Sequence, residues 1–368
     1  MAQIQTTHTG SLPRPPELLP LLYGHDPRLG EHVQAAVRDA VGKQRKAGIS
    51  IVNDGEMGKV AYSTYIVERL TGFTPTGQPR RMMPPDIAAF PNLAAERMKD
   101  QASRPAAAVP AFECTGPISY TGRPLLDRDI ANLREATKDL APGQVFMSAA
   151  SPGVVRTFQE NHFYRDDEEY IQAVGSAMRE EYEAIVAAGF TLQLDCPDLS
   201  LLGITDKGAS AEFLRVRVDA INAATANIPP ERMRMHICWG NYEGPHHLDT
   251  PIRELLPALY QARPAALSFE GANPRHEHEW QVFRELPLPD GKTIIPGIID
   301  STTNYIEHPE LVAERIRRYV DVVGAERVVA GTDCGFGTFA GAGAVHPAIV
   351  YAKLSSLAEG ARLASNGG

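Results

Sequence analysis

Apolar positions along the chain alternate between two patterns. Short, β-prone apolar runs occur at 3–9, 50–54, 111–116, 145–150, 191–195, 233–238, 266–270, 293–300 and 327–333. Between them lie longer stretches with apolar residues at the helical period, clearest at 167–189 and 308–326. The first opens on acidic residues suited to a helix N-terminus and closes on Gly189; the second carries Pro309 in its first turn. Strands alternating with helices predict parallel βαβ units.

The runs also end alike. Each closes on or just before a polar or reactive residue: Glu56, Glu113, Ser151, Asp195, Cys238, Glu270, Asp300 and Cys334. Chemistry gathered at the C-terminal ends of many strands is the habit of a (β/α)8 barrel, whose loops there build the site. The predicted fold class is therefore α/β, a single (β/α)8 TIM barrel occupying 1–368 as one domain. A doubly wound sheet would concentrate chemistry at a switch point behind a Gly-rich phosphate loop, which the sequence lacks. Nine runs compete for eight barrel places, so one is surplus, with the N-terminal run the first candidate. Residues 72–110, rich in Pro, Arg, Met and Ala, follow neither period. They read as an excursion on the barrel face, helical in part at 93–100.

Composition narrows the function. With 43% hydrophobic and 22% charged residues, the chain of 368 has the balance of a globular protein. A formal net charge of -9 leaves no basic footprint for nucleic acid and points to small-molecule substrates. The N-terminus has no basic n-region followed by an apolar stretch, and no run approaches the roughly 18 apolar residues of a membrane span. A cytoplasmic location is expected. In that setting Cys114, Cys196, Cys238 and Cys334 are reduced, and metal or catalytic roles outrank disulfides. Oligomeric state is not legible.

Two of those cysteines belong to a constellation. His236 and Cys238 share one face at the end of a strand run, because side chains repeat every second residue there. Glu270 ends the next run, about one βα unit on, and Cys334 follows about two units later. Imidazole, two thiolates and a carboxylate would converge on one rim and suit Zn2+. Such an electron-rich site is a poor Lewis acid for amide hydrolysis, yet coordination deprotonates a thiol outright. Glu270 is the hardest ligand of the set and the one an incoming sulfur would displace. His246-His247 and the HEHEW run at 276–280 lack the H-E-x-x-H spacing of a zinc helix and are read as decoys. Cys114 and Cys196 are read as small buried hydrophobes.

With these residues in place, the chain resembles the C-terminal catalytic barrel of the cobalamin-independent methionine synthases, from TGSLPRP to VAGTDCGF. The resemblance implies a zinc barrel, with His236, Cys238, Glu270 and Cys334 as ligands, that binds homocysteine by its sulfur and methylates it to methionine. It also implies that Ser11 and its neighbouring backbone hold the amino-acid carboxylate. Glu56 and Asp195 would take the ammonium, a pairing that a desolvated charge requires. Trp239 is a candidate substrate contact, and Tyr305 and Phe336 are aromatics that a donor could meet.

The chain departs from the family at two points. It has no room for the second, N-terminal barrel, and Thr302 stands where a proton-shuttling His is expected. Thr cannot protonate a folate nitrogen at neutral pH. The expected donors therefore extend from a folate to a methyl-corrinoid protein or a methoxylated or sulfonium molecule. The same superfamily includes short enzymes that open epoxides with coenzyme M, and this chemistry is the main alternative. A metal-free barrel lyase and a structural zinc site in a binding protein are the other readings.

Overall fold

The computed structural model describes residues 3–24, 26–79, 83–103, 110–200 and 210–366. Its strands are β1 (Gln5–Thr6), β2 (Phe73–Pro79), β3 (Pro110–Cys114), β4 (Phe146–Ala150), β5 (Glu160–Asn161), β6 (Thr191–Asp195), β7 (Met233–His236), β8 (Ala266–Phe269), β9 (Thr293–Ile299) and β10 (Val329–Thr332). Seven of them form a parallel sheet in the order β1-β10-β9-β8-β7-β6-β4. The segment at 50–52 joins its two edges. Ser50 and Ile51 donate their backbone N–H to Thr6 O, while Val52 donates to Gln144 O and accepts from Phe146 N. The sheet thus curls into the eight-place barrel, with helices packed outside.

The surplus run is 111–116, and the N-terminal run is a barrel strand. β3 pairs antiparallel with β2 and parallel with β5, in a separate three-stranded sheet. This corrects the first candidate, for a physical reason. Only Gln5–Thr6 of the 3–9 run is laddered, but that short β1 has partners on both sides, whereas 111–116 has none in the barrel sheet. Glu113 accordingly leaves the barrel rim and lies beside His162 at 3.4 Å. The excursion consists of β2, helices Pro85–Ala88 and Pro91–Ser103, and β3. Its residues 80–82 and 104–109 lie outside the described residues.

Local chemistry explains the elements. Helix Asp167–Ala187 starts where Asp166 accepts from Glu169 N, and it buries Tyr170, Val174, Met178, Tyr182 and Ile185 against the barrel. Helix Pro309–Val323 starts behind His308, with Pro309 in the first turn, as the sequence predicts. Parallel strands are buried on both faces, and β4 is buried along its whole length. Pro296 lies within β9, paired with Phe269, and the β9–β10 register shifts between Gly331 and Thr332. Cys114 and Cys196 are fully buried free cysteines, as expected. Among the described residues, no helix is long and apolar enough to cross a membrane.

Alternation on the strands fills the barrel axis with polar groups. The Arg234 guanidinium donates to Gln193 Oε1 at 2.6 Å, Thr7 Oγ1 at 3.0 Å and His8 O at 2.6 Å. It also stacks over Phe146, 3.5 Å from the ring centre. This buried layer is the floor beneath the strand ends that carry the candidate site.

Candidate metal centre

Two residues beyond Arg234 on the same strand face stands His236, and two further on is Cys238. Cys334 arrives from the end of β10. One ligand atom each from His236, Cys238 and Cys334 lies within 4.8 Å of the others, the group of this kind found among the described residues. All three residues are buried. The two sulfurs are 3.8 Å apart. Two Zn–S bonds of about 2.3 Å at a tetrahedral angle span about 3.8 Å, so the thiol pair already has the spacing such an ion imposes.

The imidazole fits the same test. His236 Nδ1 is 3.1 Å from Ser268 Oγ, which fixes the ring, while Nε2 is buried with no hydrogen-bond partner. An outer hydrogen bond on one nitrogen and a free second nitrogen is how a metal-binding His is oriented. Burial, with Arg234 adding to it, pushes the ring down to about 3, so it is neutral and able to ligate. The Cys334 thiol is pushed well up, first by its hydrogen bond with Cys238 and then by burial and the charges around it. Two adjacent buried thiols cannot both ionise without a cation between them. The donor set therefore fits a thiophilic divalent ion.

Glu270 stands at the end of β8 beside this trio, outside the 4.8 Å group. Its Oε1 accepts from Trp239 N at 2.8 Å and its Oε2 from Asn273 Nδ2 at 2.9 Å. The Trp239 side chain is directed into the wall, where Nε1 donates to Thr250 O at 2.7 Å. Its backbone N–H is the group presented to Glu270. Phe336 is buried and Tyr305 is exposed.

A second carboxylate group lies over the floor. Glu56 sits in a sharp D-G-E turn with φ of 56°, a left-handed conformation rare for a residue with a side chain. Asn53 and Asp54 fix the turn by accepting from Gly55 N and Glu56 N. Glu56 Oε1 accepts from Ser148 Oγ at 2.8 Å, Oε2 has no hydrogen-bond partner, and Arg14 stands 3.8 Å away. Asp195 is the ladder neighbour of His236 and accepts from Gln193 Nε2 at 2.7 Å. Burial and then the charge of Glu56 push its carboxyl up to about 8. A buried carboxyl pair with an open oxygen is a cradle for a cation.

Ser11 closes this side. It is buried, and its carbonyl accepts from Phe336 N at 2.8 Å. A Cβ on Gly335 would lie 2.0 Å from Ser11 Oγ, so the glycine leaves the hydroxyl its place where the two loops meet. The loop after β9 joins the rim as well. Ser301 Oγ donates to Asn241 Oδ1 at 2.9 Å, and Asn241 Nδ2 donates to Gly335 O at 2.6 Å. Thr302 is held by its backbone N–H on Asp300 Oδ1 at 2.8 Å.

The sequence reading missed several supporting residues. Ser148, Gln193, Arg234 and Ser268 stand two residues before Ala150, Asp195, His236 and Glu270, so the two-residue period that paired His236 with Cys238 could have found them. Lys59, whose Nζ donates to Ser148 O at 2.7 Å, gives no such signal. The histidines read as decoys are not in the ligand group. Two of them, His246 and His276, form a buried ionic network instead, while His247 and His278 are exposed. His276 offers Nδ1 to Glu279 at 2.8 Å and Nε2 to Asp249 at 3.0 Å. His246 offers Nδ1 to Asp249 at 2.7 Å and Nε2 to Tyr242 O at 3.0 Å. All four contacts end on acceptor oxygens, two of them on Asp249 Oδ2, so both rings carry two protons.

That protonation has a measurable consequence. Burial alone would push both rings down, but the hydrogen bonds to Asp249, to Glu279 for His276 and to Tyr242 O for His246 outweigh it and raise each from 6.5 to about 9. A raised histidine stabilises the fold fully below its unfolded value of 6.5 and loses that contribution as pH climbs through about 9. Urea unfolding of the metal-free protein is expected to show stability falling across this window, by up to about 3 kcal/mol for each ring. His246→Asn should flatten the profile; an unchanged slope would mean that the rings are neutral.

The site can be compared with known proteins. The family model described as "Cobalamin-independent synthase, Catalytic domain" matches residues 130–351. The 2-hydroxypropyl-CoM lyase of Xanthobacter autotrophicus is 23% identical, over 91% of this chain and 84% of its own length. A methionine synthase of Saccharolobus solfataricus is 24% identical, over 98% of this chain and 94% of its own. Among solved structures, a B12-independent methionine synthase from Shewanella sp. W3-18-1, in complex with selenomethionine, superposes with a TM-score of 0.74 at 22% identity. That superposition covers 99% of this chain and 98% of the other, and it bears on the fold alone.

Proposed function

Because the chain belongs to the cobalamin-independent synthase catalytic-domain family, we propose that it transfers a methyl group to the thiol of homocysteine, giving methionine. The observation that carries this reading is the buried His236, Cys238 and Cys334 trio, with sulfurs 3.8 Å apart and a free imidazole nitrogen. His236, Cys238, Cys334 and Glu270 would hold zinc. Zinc bound there supplies a centre at which a thiol loses its proton at neutral pH.

The remaining work falls to the chain's own residues. Glu56 and Asp195 bind the substrate ammonium: a cation between them offsets the burial and the Glu56 charge that push the Asp195 carboxyl up to about 8. Ser11 and the adjoining backbone receive the carboxylate, and Trp239 lines the wall beside Glu270. Held at both ends, the substrate presents its sulfur toward the strand-end trio. Restricting the sulfur in this way supplies the orientation part of the rate enhancement. Thr302 offers no proton to a leaving nitrogen at neutral pH, which favours a donor whose leaving group needs none.

A second reading, the opening of an epoxide by a coenzyme M-like thiol, is favoured by the likeness to 2-hydroxypropyl-CoM lyase. The Glu56 and Asp195 pair opposes it, since a sulfonate would meet two carboxylates. Product analysis separates the two. Zinc-loaded protein would be given homocysteine or 2-mercaptoethanesulfonate, each with a methylfolate, a methylsulfonium compound or epoxypropane. Methionine from homocysteine is the expected product. A hydroxypropyl thioether of 2-mercaptoethanesulfonate, with no methionine from any donor, would establish the second reading.

A further inference from the structure

The ionic network around His276 touches both groups that hold Glu270. The imidazole stacks on the Trp239 ring, centroids 3.9 Å apart, and Trp239 N–H binds Glu270 Oε1. Its backbone N–H donates to Asn273 O at 2.8 Å, and the Asn273 amide binds Glu270 Oε2. A charged ring over an indole is an attractive contact, stronger when buried. His276 thus secures the two donors from opposite sides.

The excursion reaches the same network. Asp86, on helix Pro85–Ala88, accepts from Tyr242 OH at 2.9 Å and from His246 N at 2.7 Å. His246 has φ of 52°, a strained conformation for a residue with a side chain, so its backbone must be held from outside. Asp86 does this. The His246 ring in turn orients Asp249, the carboxylate it shares with His276. Phe90 meets His247 edge-on, centroids 5.6 Å apart, and Arg97 donates to Glu243 O. The excursion is therefore docked on the loop that runs on from the ligand Cys238.

We propose that His276 is the positioning residue for Glu270, and that Asp86 latches the excursion onto the loop to keep His276 in place. This rests on the reading of Glu270 as a metal ligand. It assigns the excursion a role: clamping the loop that sets where Glu270 sits between the metal and its holding donors.

The test uses the full chain loaded with Co2+ for spectroscopy and with Zn2+ for chelator competition. Variants are His276→Gln, Asp86→Ala and, as reference, Glu270→Ala. We expect both positioning variants to weaken zinc roughly 10-fold or more, as outer-shell partners of ligands do. Their cobalt ligand-field bands should move toward those of Glu270→Ala, with the thiolate-to-cobalt band retained. Folding is checked by circular dichroism, and if His276→Gln does not fold, Asp86→Ala decides. Native spectra and affinity in the folded positioning variants, with Glu270→Ala altered, would overturn this proposal and leave the ligand reading standing. Native behaviour in Glu270→Ala itself would remove the ligand reading and this proposal with it.

Discussion

Replacing Cys334 with serine is expected to strip zinc from the protein and abolish thiol methylation. A serine hydroxyl is a poor donor for this ion, and it does not reproduce the 3.8 Å spacing between the two sulfurs. Loss of a direct ligand should exceed the 10- to 100-fold that outer partners typically cost, so zinc affinity should fall by more than roughly 100-fold. Metal analysis after gel filtration and chelator competition would measure it. Circular dichroism should stay close to the parent, because Cys334 sits on a loop beyond β10 and the barrel core is untouched. Full zinc occupancy in this variant would sink the ligand assignment. Zinc loss with undiminished methylation would instead separate the metal from the chemistry.

The second large effect is expected at the carboxyl pair. Glu56→Gln or Asp195→Asn removes one half of the proposed ammonium cradle while leaving its shape. Taking one partner from a buried charge pair costs about 2–4 kcal/mol, which corresponds to a roughly 30- to 1,000-fold loss in kcat/KM for homocysteine. The loss should appear mainly in KM, since ammonium binding is made in the ground state. Thiols that lack an ammonium should lose little, and 2-mercaptoethanesulfonate should gain relative to homocysteine. Equal losses for both kinds of thiol would show that the pair supports the site's structure and does not select the substrate. Asp195 is the sharper probe. Its neighbour Gln193 Nε2 already donates to Oδ1 at 2.7 Å, so the amide variant also tests whether that contact fixes the side chain.

The convergence of His236, Cys238 and Cys334 is legible in the sequence. Strand periodicity is local, and the two-residue repeat is enough to place His236 and Cys238 on one face. Barrel topology then brings the ends of β8 and β10 to the same rim, which is why Cys334 meets Cys238 across 96 positions of chain. Family pattern supplied Ser11, Glu56 and Asp195; Gly10, next to Ser11, packs against the Glu56 carboxylate, and Asp195 is near enough to feel its charge. Glu270 was readable as a strand-end carboxylate, but not its two donors, Trp239 N and Asn273 Nδ2, because a backbone N–H carries no sequence signature.

The histidines illustrate the opposite case. HEHEW and His246-His247 read as decoys from their spacing, yet nothing local indicates an ionic network. Their protonation depends on acceptors at Asp249, Glu279 and Tyr242, which only loop packing brings within reach.

By itself, then, the sequence determined the α/β class, the alternation that makes a parallel barrel, and the rim on which His236, Cys238, Glu270 and Cys334 gather. These depend on periods of two and of 3.6 residues, which short windows carry. The tertiary structure alone decided that 111–116 leaves the barrel while Gln5–Thr6 stays in it, since ladder partners and not length make a strand. It also decided that Asp86 reaches His246 and that His276 stacks on Trp239 beside Glu270. Such contacts join distant segments, and their energies depend on burial and partner geometry that no window of sequence contains.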